Sequence, residues 1–510
     1  MTERETIAIL SEVESAANIV RGSFGPFGTY KFFVCEDGTV IITDSGAEIL
    51  DRFEVESAPI SVLRGAVRDL NAELSDGAGT FAVLVGALAG RAADLLERGL
   101  YQANIERGYQ IAASVALETL VRSRSPVAAG DRAALASTAL TGTKNQIIRE
   151  QLGETIAGVA AEVAASEGVF NRHALKIVSH HGGAHGETET IQGAILDASP
   201  VVESMPRQIS STRVALVSTS IDVRQFGESG GETSANVRLS EDSFENRLAL
   251  GQQEREEFAE SIRRVVASGC RFVATSGAVN DRVKTVLANQ RLLAVQRIDE
   301  SDLTHIARIT GAESVPSLDY VTEQSLGSGD ITVDRKAGRD MTFIENPDGP
   351  PVYTLFCRAP DRRHLQTFER SVESAVAAVA MADADGGLVP GGGASEQAAA
   401  RAIQAHARSI SGREQLAVEA FGDALRAVPV TLAENSGMDT IEAVADLQKN
   451  HSEGSDTHGI DCIEGYIRDM LAEPRIVDPY TKKRQVWSSA IELVTRLIRV
   501  SDVLPAVKRD

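Results

Sequence analysis

The texture of this chain changes twice along its length. Residues 5–22 carry helical periodicity, with Ile7, Ile9, Leu10, Val13, Ala16, Ile19 and Val20 on one stripe, and helical patterning dominates to about residue 165. Between about 190 and 350 short β runs take over, among them Arg213–Ser218, Arg271–Ala274 and Leu292–Val295, interleaved with helical segments such as Glu254–Ala267. From about 365 to 500 the pattern is helical again. An α/β segment between two helical blocks predicts a nested architecture, in which the two ends fold together as one domain and the middle forms another. A chain of 510 residues also exceeds what one hydrophobic core usually organises.

The first helical block contains two glycine turns. The opening helix ends in Ser23-Phe-Gly-Pro-Phe-Gly28, followed by a hairpin pattern: Lys31–Cys35, a turn at Glu36-Asp-Gly38, and Thr39–Thr43. Further on, Leu74-Ser-Asp-Gly-Ala-Gly-Thr80 runs directly into an apolar helical stretch. Small residues in such a turn let backbone N–H groups close on a phosphate, the helix N-terminus favours the anion, and Asp76 can hold a metal ion. A glycine turn before a helix is also common punctuation, so by itself it does not define a nucleotide site. A second glycine cluster stands at Leu388-Val-Pro-Gly-Gly-Gly-Ala-Ser-Glu396.

Charge narrows the partners. A net charge of −21 and a pI near 5.0 argue against nucleic acid or an anionic membrane, since both are polyanions. Only nine of the 51 basic residues are lysine. An acidic, arginine-biased chain suits a high-salt cytoplasm, where a Debye length of about 3 Å at 1 M tolerates self-repulsion; GC-rich codon bias explains the arginines but not the acid excess. Cys35, Cys270, Cys357 and Cys462 are far apart and form no CxxC pair, so reduced cytosolic thiols are expected. The start MTERETIAIL lacks a basic and an apolar leader region, and no run of about 18 apolar residues stands out, so a cytoplasmic chain that neither spans a membrane nor is exported is expected. His180, His181 and His185 are separated by Gly182-Gly183, which favours a polar turn over a metal site. Glu254-Arg-Glu-Glu257 reads as a solvated helix face.

The ordered series Ser23-Phe-Gly-Pro26, the Asp76 loop, Val389-Pro-Gly-Gly-Gly-Ala-Ser-Glu396, Leu416-Ala-Val-Glu-Ala-Phe-Gly-Asp-Ala-Leu425, Leu432-Ala-Glu-Asn-Ser-Gly-Met-Asp439 and Arg499-Val-Ser-Asp-Val503 resembles the successive signatures of the group II chaperonins. These are the archaeal thermosome and its eukaryotic cytosolic relatives, and the resemblance spans essentially the whole chain. It points to a divergent subunit from a halophilic archaeon. The implied fold is multidomain α and α/β: a helical equatorial domain from both chain ends (1–140 and 391–510), a small intermediate domain (141–191 and 351–390), and an α/β apical domain (192–350) with a helical protrusion at about 239–257. The implied partners are other chaperonin subunits in a homo- or hetero-oligomeric double ring, and non-native protein clients; the implied cofactors are ATP or ADP with Mg²⁺.

Residue by residue, the resemblance implies that Ser23, Phe24, Gly25 and Pro26 approach the phosphates. Asp76 is then the Mg²⁺ ligand, and Gly77, Ala78, Gly79 and Thr80 cradle phosphate oxygens. Gly392 and Gly393 admit the ribose and base, Asp461 lies by the base, and Asp478 accepts from the ribose hydroxyls. Several positions depart from the family pattern. Gly-Asp-Gly-Thr-Thr-Thr has become Ser75-Asp-Gly-Ala-Gly-Thr80, and losing two hydroxyl donors weakens nucleotide binding by ~1 kcal/mol each. The family's Asn-Asp-Gly corresponds to Asp44-Ser45-Gly46, and its Glu-Arg-Ser-x-x-Asp-Ala to Glu369-Arg-Ser-Val-Glu-Ser-Ala375, so Ser45 and Ser374 replace both hydrolytic aspartates. Serine cannot act as a carboxylate base. The adjacent Asp44 and Glu373 are expected to point away, as neighbours on a strand or helix do. In the γ-phosphate-sensing loop Thr143 takes the usual lysine position and Lys144 follows one residue later.

In the expected protrusion, Ser240 caps a helix and Phe244 and Leu248 form a narrow apolar stripe at i and i+4, suited to meeting a neighbour or client. Set against the family, the chain starts close to its first helix and stops at Val507-Lys-Arg-Asp510, which implies weaker stitching between subunits and either a minor place in mixed rings or an incompletely assembled oligomer, although Leu504-Pro-Ala-Val507 could supply an edge strand. Three functions follow: a chaperonin-like ATP-binding subunit with impaired hydrolysis, a fully active ATP-dependent folding chaperonin, or an ATP-independent holdase or scaffold.

Overall fold

Apolar residues every three to four positions make the start of the chain a helix, α1 (Thr2–Arg21), and bury Leu10, Val13, Ala16 and Val20. The computed structural model describes residues 2–38, 40–55, 57–128, 130–140, 145–222 and 259–504. They divide into two units, one of Met1–Arg172, Ala184–Gly186 and Ala359–Asp510, the other of His173–Gly183 and Glu187–Arg358. Thr143, Lys144, the 239–257 segment with Phe244 and Leu248, and residues 505–510 lie outside the described residues.

In the first unit α1 leads to the hairpin β1 (Lys31–Val34) and β2 (Val40–Thr43), antiparallel with Lys31 opposite Thr43. Then come α2 (Gly46–Arg52), α3 (Ala58–Leu74), α4 (Ala78–Glu97), α5 (Gln102–Arg122), α6 (Asp131–Ala139) and α7 (Gln146–Glu167). The second unit holds β3 (Leu175–His181), β4 (Glu189–Gln192), β5 (Ala194–Leu196), β6 (Gln208–Val217), α8 (259–267), β7 (Cys270–Thr275), α9 (Asp281–Asn289), β8 (Leu293–Val295) and α10 (Glu300–Thr310). It closes with β9 (Ser314–Val315), β10 (Gly327–Lys336), β11 (Arg339–Glu345) and β12 (Tyr353–Ala359). The first unit resumes with α11 (Arg362–Asp385), β13 (Leu388–Pro390), α12 (Ala394–Ala407), α13 (Glu414–Leu425), α14 (Ala427–Asn435), α15 (Thr440–Ser452), β14 (His458–Asp461), β15 (Tyr466–Asp469), β16 (Val477–Pro479) and α16 (Tyr480–Ile498).

The core of the first unit is built around α4. By length and apolarity this helix could cross a membrane, contrary to the expectation that no such stretch exists, but 67% of its apolar window is buried within the unit. It is a core helix. Gly86 lets α1 pack against it: a Cβ at Gly86 would lie 2.7 Å from that of Ala17. Gly86→Leu is expected to lower stability by about 1–3 kcal/mol through overpacking, read as a lower urea midpoint. Beside α4, Tyr109 on α5 donates to the Leu88 carbonyl at 2.8 Å and meets the Phe421 ring edge-on.

The two ends of the chain are clasped together. Thr6 Oγ1 donates to the Val500 carbonyl at 2.8 Å, Arg21 Nε donates to Thr431 Oγ1 at 2.9 Å, and Arg21 Nη2 pairs with Glu434 at 2.9 Å. The second helical block is less uniform than its periodicity predicts. Antiparallel pairs β13–β16 and β14–β15 interrupt it, each strand too short to show an alternating pattern.

In the second unit a seven-stranded mixed sheet runs β5-β11-β10-β6-β7-β8, with β9 also paired to β6. β6, β7, β8 and β9 are parallel, while β5, β11, β10 and β6 pair antiparallel. Phe272, Leu293, Val295, Ile306, Ile331 and Ile344 fill one face. A three-stranded sheet, β3-β12-β4, starts the β texture at Leu175, earlier than the composition shift near 190 suggests. His180 and His181 lie on β3, whereas His185 belongs to the first unit and stacks on Phe368 with ring centroids 4.4 Å apart. All four cysteines are free thiols.

Candidate nucleotide site

Three turns of the first unit surround one cavity of about 620 Å³. The turn after α1 contributes Ser23, Phe24, Gly25 and Pro26. Ser23 Oγ donates to the Thr29 carbonyl at 2.5 Å, and Asn435 Nδ2 donates to the carbonyls of Arg21 and Phe24 at 2.9 and 2.7 Å. The first bond closes the turn on itself, and the two from Asn435 hold it against the C-terminal block.

The second turn joins α3 to α4. Ser75 (φ 56°) and Gly77 (φ 90°) are both left-handed, and no side chain caps α4. Helix geometry leaves the N–H groups of Ala78, Gly79 and Thr80 without intrahelical acceptors at the positive end of the dipole. All three residues line the cavity. The missing hydroxyl at Gly79 has a steric reason. A Cβ there would lie 3.0 Å from the Phe24 ring, and one on Gly46 would press on the Gly79 backbone at 3.3 Å. A side chain at 79 therefore requires the Phe24 ring to give way by a few tenths of an ångström.

Gly392 (φ 59°) and Gly393 (φ 77°) form the third turn, at the start of α12, which also has no side-chain cap. The Ile460 N–H donates to the Gly392 carbonyl at 2.8 Å. A Cβ at Gly392 would lie 2.6 Å from the Ile460 carbonyl oxygen, so only glycine lets β14 approach.

The acidic residues are more committed than the sequence suggests. Asp461 is 2% exposed; Oδ1 accepts from the Ile463 and Glu464 N–H groups at 3.0 and 3.1 Å, and Oδ2 pairs with Arg468 at 2.7 Å. It shapes its own turn at the cavity wall. Asp478 pairs with both Lys482 and Lys483 at 2.9 Å. Lys483 continues to the fully buried Glu396 at 3.0 Å, which also accepts from Trp487 Nε1 at 3.3 Å. Lys482 continues in the other direction to Asp76 Oδ2 at 2.8 Å, while Asp76 Oδ1 accepts from the Gly77 N–H at 2.6 Å. Burial alone would raise the Asp478 pKa, but the two ammoniums overcome it and hold the carboxyl well below the usual range. Burial likewise disfavours the charged form of Lys482, yet Asp478 and Asp76 hold it above the ordinary lysine value.

This chain of five charges ties Asp76 to the C-terminal block. One of its oxygens is engaged by a backbone N–H and the other by an ammonium, so the site presents a neutralised carboxylate with a cation beside it. A divalent cation on Asp76 would have to share Oδ2 with this ammonium and draw its remaining ligands from phosphate and water.

Ser45 and Ser374 both line the cavity and both serve structure. Ser45 is the N-cap of α2, accepting from the Glu48 N–H at 3.4 Å. Ser374 on α11 donates to the Ser75 carbonyl at 2.9 Å, and Arg370, one turn earlier, bonds to Glu48. Asp44 and Glu373 also have atoms on the cavity lining. Glu373 is solvent-accessible at its mouth, where surrounding protein and then Glu369 push its pKa upward.

The sequence reading missed the basic groups here. Arg149 on α7 is 7% exposed, lines the cavity, and its Nε has no hydrogen-bond partner. The available signal was an arginine on the apolar stripe of Leu152, Ile156, Val159 and Val163. For Lys482 and Lys483 it was an adjacent pair in a lysine-poor chain.

A helical unit assembled from both chain ends, with a glycine-lined cleft and an α/β unit between its halves, has the build of a chaperonin subunit. The chain belongs to the TCP-1/cpn60 chaperonin family of protein-folding chaperones, whose family model matches residues 16–508. It is 34% identical over 497 residues to a thermosome subunit of Methanopyrus kandleri, covering 96% of this chain and 90% of that one. It is 32% identical over 498 residues to a thermosome subunit of Methanocaldococcus jannaschii, with the same coverage. The fold is similar to the crystal structure of a group III chaperonin in the open state, with a TM-score of 0.81 and 22% identity over 98% of this chain and 99% of that one.

Proposed function

We propose that this chain is a nucleotide-binding chaperonin subunit in which ATP hydrolysis is impaired. In this reading residues 1–140 and 391–510 form an equatorial domain that binds ATP or ADP. Residues 141–191 and 351–390 form an intermediate domain, and 192–350 an apical domain that receives non-native protein within a ring of like subunits. Its acidic surface suits a salt-rich archaeal cytoplasm.

The observation that carries the proposal is a division within one cleft. The two uncapped helix starts at Ala78 and Ala394 and the turns at Gly25, Gly77, Gly392 and Gly393 offer what a nucleotide needs: backbone donors and close approach. The positions where hydrolytic carboxylates are expected hold Ser45 and Ser374, whose hydroxyls are engaged in a helix cap and a tether. Ser23, Phe24 and Pro26 would shape the phosphate end, and Thr80 would add the one threonine hydroxyl in the loop. Asp461 and Asp478 would border the base and ribose from fixed positions.

Isothermal titration of the purified chain with ATP, and separately with ADP, is expected to give saturable binding at one nucleotide per chain. Absence of binding to either would overturn the proposal in favour of an ATP-independent holdase, the reading that Ala78 and Gly79 support by their missing hydroxyls.

A further inference from the structure

The Lys482 ammonium lies between Asp76 and Asp478, at 2.8 and 2.9 Å, and lines the same cavity as the start of α4. An ammonium has three N–H donors, and these two bonds use two of them. Its side chain is 11% exposed, so it is held in place from the protein side while retaining access to the cleft. The linked group comprises three carboxylates, Asp76, Asp478 and Glu396, against two ammoniums. Lys482 therefore neutralises the one carboxylate that stands at the mouth of the α4 turn, where an incoming phosphate would otherwise meet a negative charge.

We infer that Lys482 is a phosphate-binding residue that stands in for a divalent cation, so that this cleft binds nucleotide without metal. Two of its N–H bonds fix it on Asp76 and Asp478, and the third donates to a phosphate oxygen beside the N–H groups of Ala78, Gly79 and Thr80. A metal placed on Asp76 would sit against this ammonium and compete with it for Oδ2. The inference rests on the nucleotide-binding reading above and goes beyond it by assigning the source of positive charge.

Titration of the parent chain with ADP and ATP, once in EDTA and once in Mg²⁺, tests it, together with Mn²⁺ binding followed by electron paramagnetic resonance in the presence of ADP. Equal affinity in both buffers and no tightly held Mn²⁺ are expected. In Lys482→Met the affinity in EDTA is expected to fall about tenfold to a hundredfold, the effect of losing a charge-assisted hydrogen bond, and Mg²⁺ is expected to restore part of it. Parent-chain binding that requires Mg²⁺, or Mn²⁺ held tightly at the site, would overturn the inference while leaving the nucleotide reading intact. No binding in either buffer would overturn that reading itself. The parent-chain measurements decide the matter even where the variant fails to fold.

Discussion

Steady-state ATP turnover by the purified chain is expected to be about 10²–10⁴-fold slower than that of a thermosome subunit carrying aspartates at both hydrolytic positions, the usual loss when a general base is removed. A serine hydroxyl is neutral near pH 7 and cannot take a proton from water as a carboxylate does. Here, moreover, both hydroxyls have other work: Ser45 caps α2 and Ser374 donates to the Ser75 carbonyl. Returning the carboxylates separates the chemistry from the scaffold. Ser45→Asp keeps the cap, because aspartate serves as well as serine at that position. Ser374→Asp loses a donor and sets a carboxylate against a carbonyl, so it is expected to cost about 1 kcal/mol of stability. The double variant is nevertheless expected to turn over ATP at least about tenfold faster than the parent. Parent turnover indistinguishable from the thermosome's in a side-by-side phosphate-release assay would sink the idea that hydrolysis is impaired.

Lys483→Met is expected to destabilise the first unit by about 3–5 kcal/mol, the typical result of breaking a buried pair and leaving its partner charged. Glu396 is fully buried, and Lys483 is its only ion-pair partner among the described residues. The Trp487 N–H that remains supplies one neutral donor at 3.3 Å, too little to compensate a carboxylate. Neutralising both partners in Glu396→Gln, Lys483→Met is expected to recover most of the loss, since Asp478 keeps Lys482. Urea unfolding followed by tryptophan fluorescence reads this well, because Trp487 is the chain's single tryptophan and packs in that core. A change below about 1 kcal/mol in the single variant would overturn the weight assigned to this buried pair.

Helices and turns were legible in the sequence wherever periodicity and glycine coincide. The stripe from Ile7 to Val20 is α1, and the Glu36-Asp-Gly38 turn separates β1 from β2. The glycine turns at 77 and 392–393 also take the positive φ angles that their composition suggests. What was not legible is pairwise. No local pattern reveals that Phe24 and Gly79 share one space, or that Asp76 and Asp478 share one lysine, because each pair is joined only by the fold. Reading Asp76 from its turn alone treats it as an isolated carboxylate, whereas the fold pairs it with Lys482.

The clasp of Thr6 on Val500 and of Arg21 on Thr431 has a bearing on how the chain is made. On a ribosome, α1 and α4 emerge hundreds of residues before the C-terminal helices that pack on them; the Arg21 contact waits for α14 and the Thr6 contact for Val500, just beyond α16. Loop-closure entropy and high contact order make such long-range pairing slow. The α/β unit, by contrast, is nearly continuous in sequence and can complete its core during translation. Each new copy of this chaperonin-family chain therefore passes through a stage in which its own N-terminal helices expose apolar surface that only the C-terminal block covers.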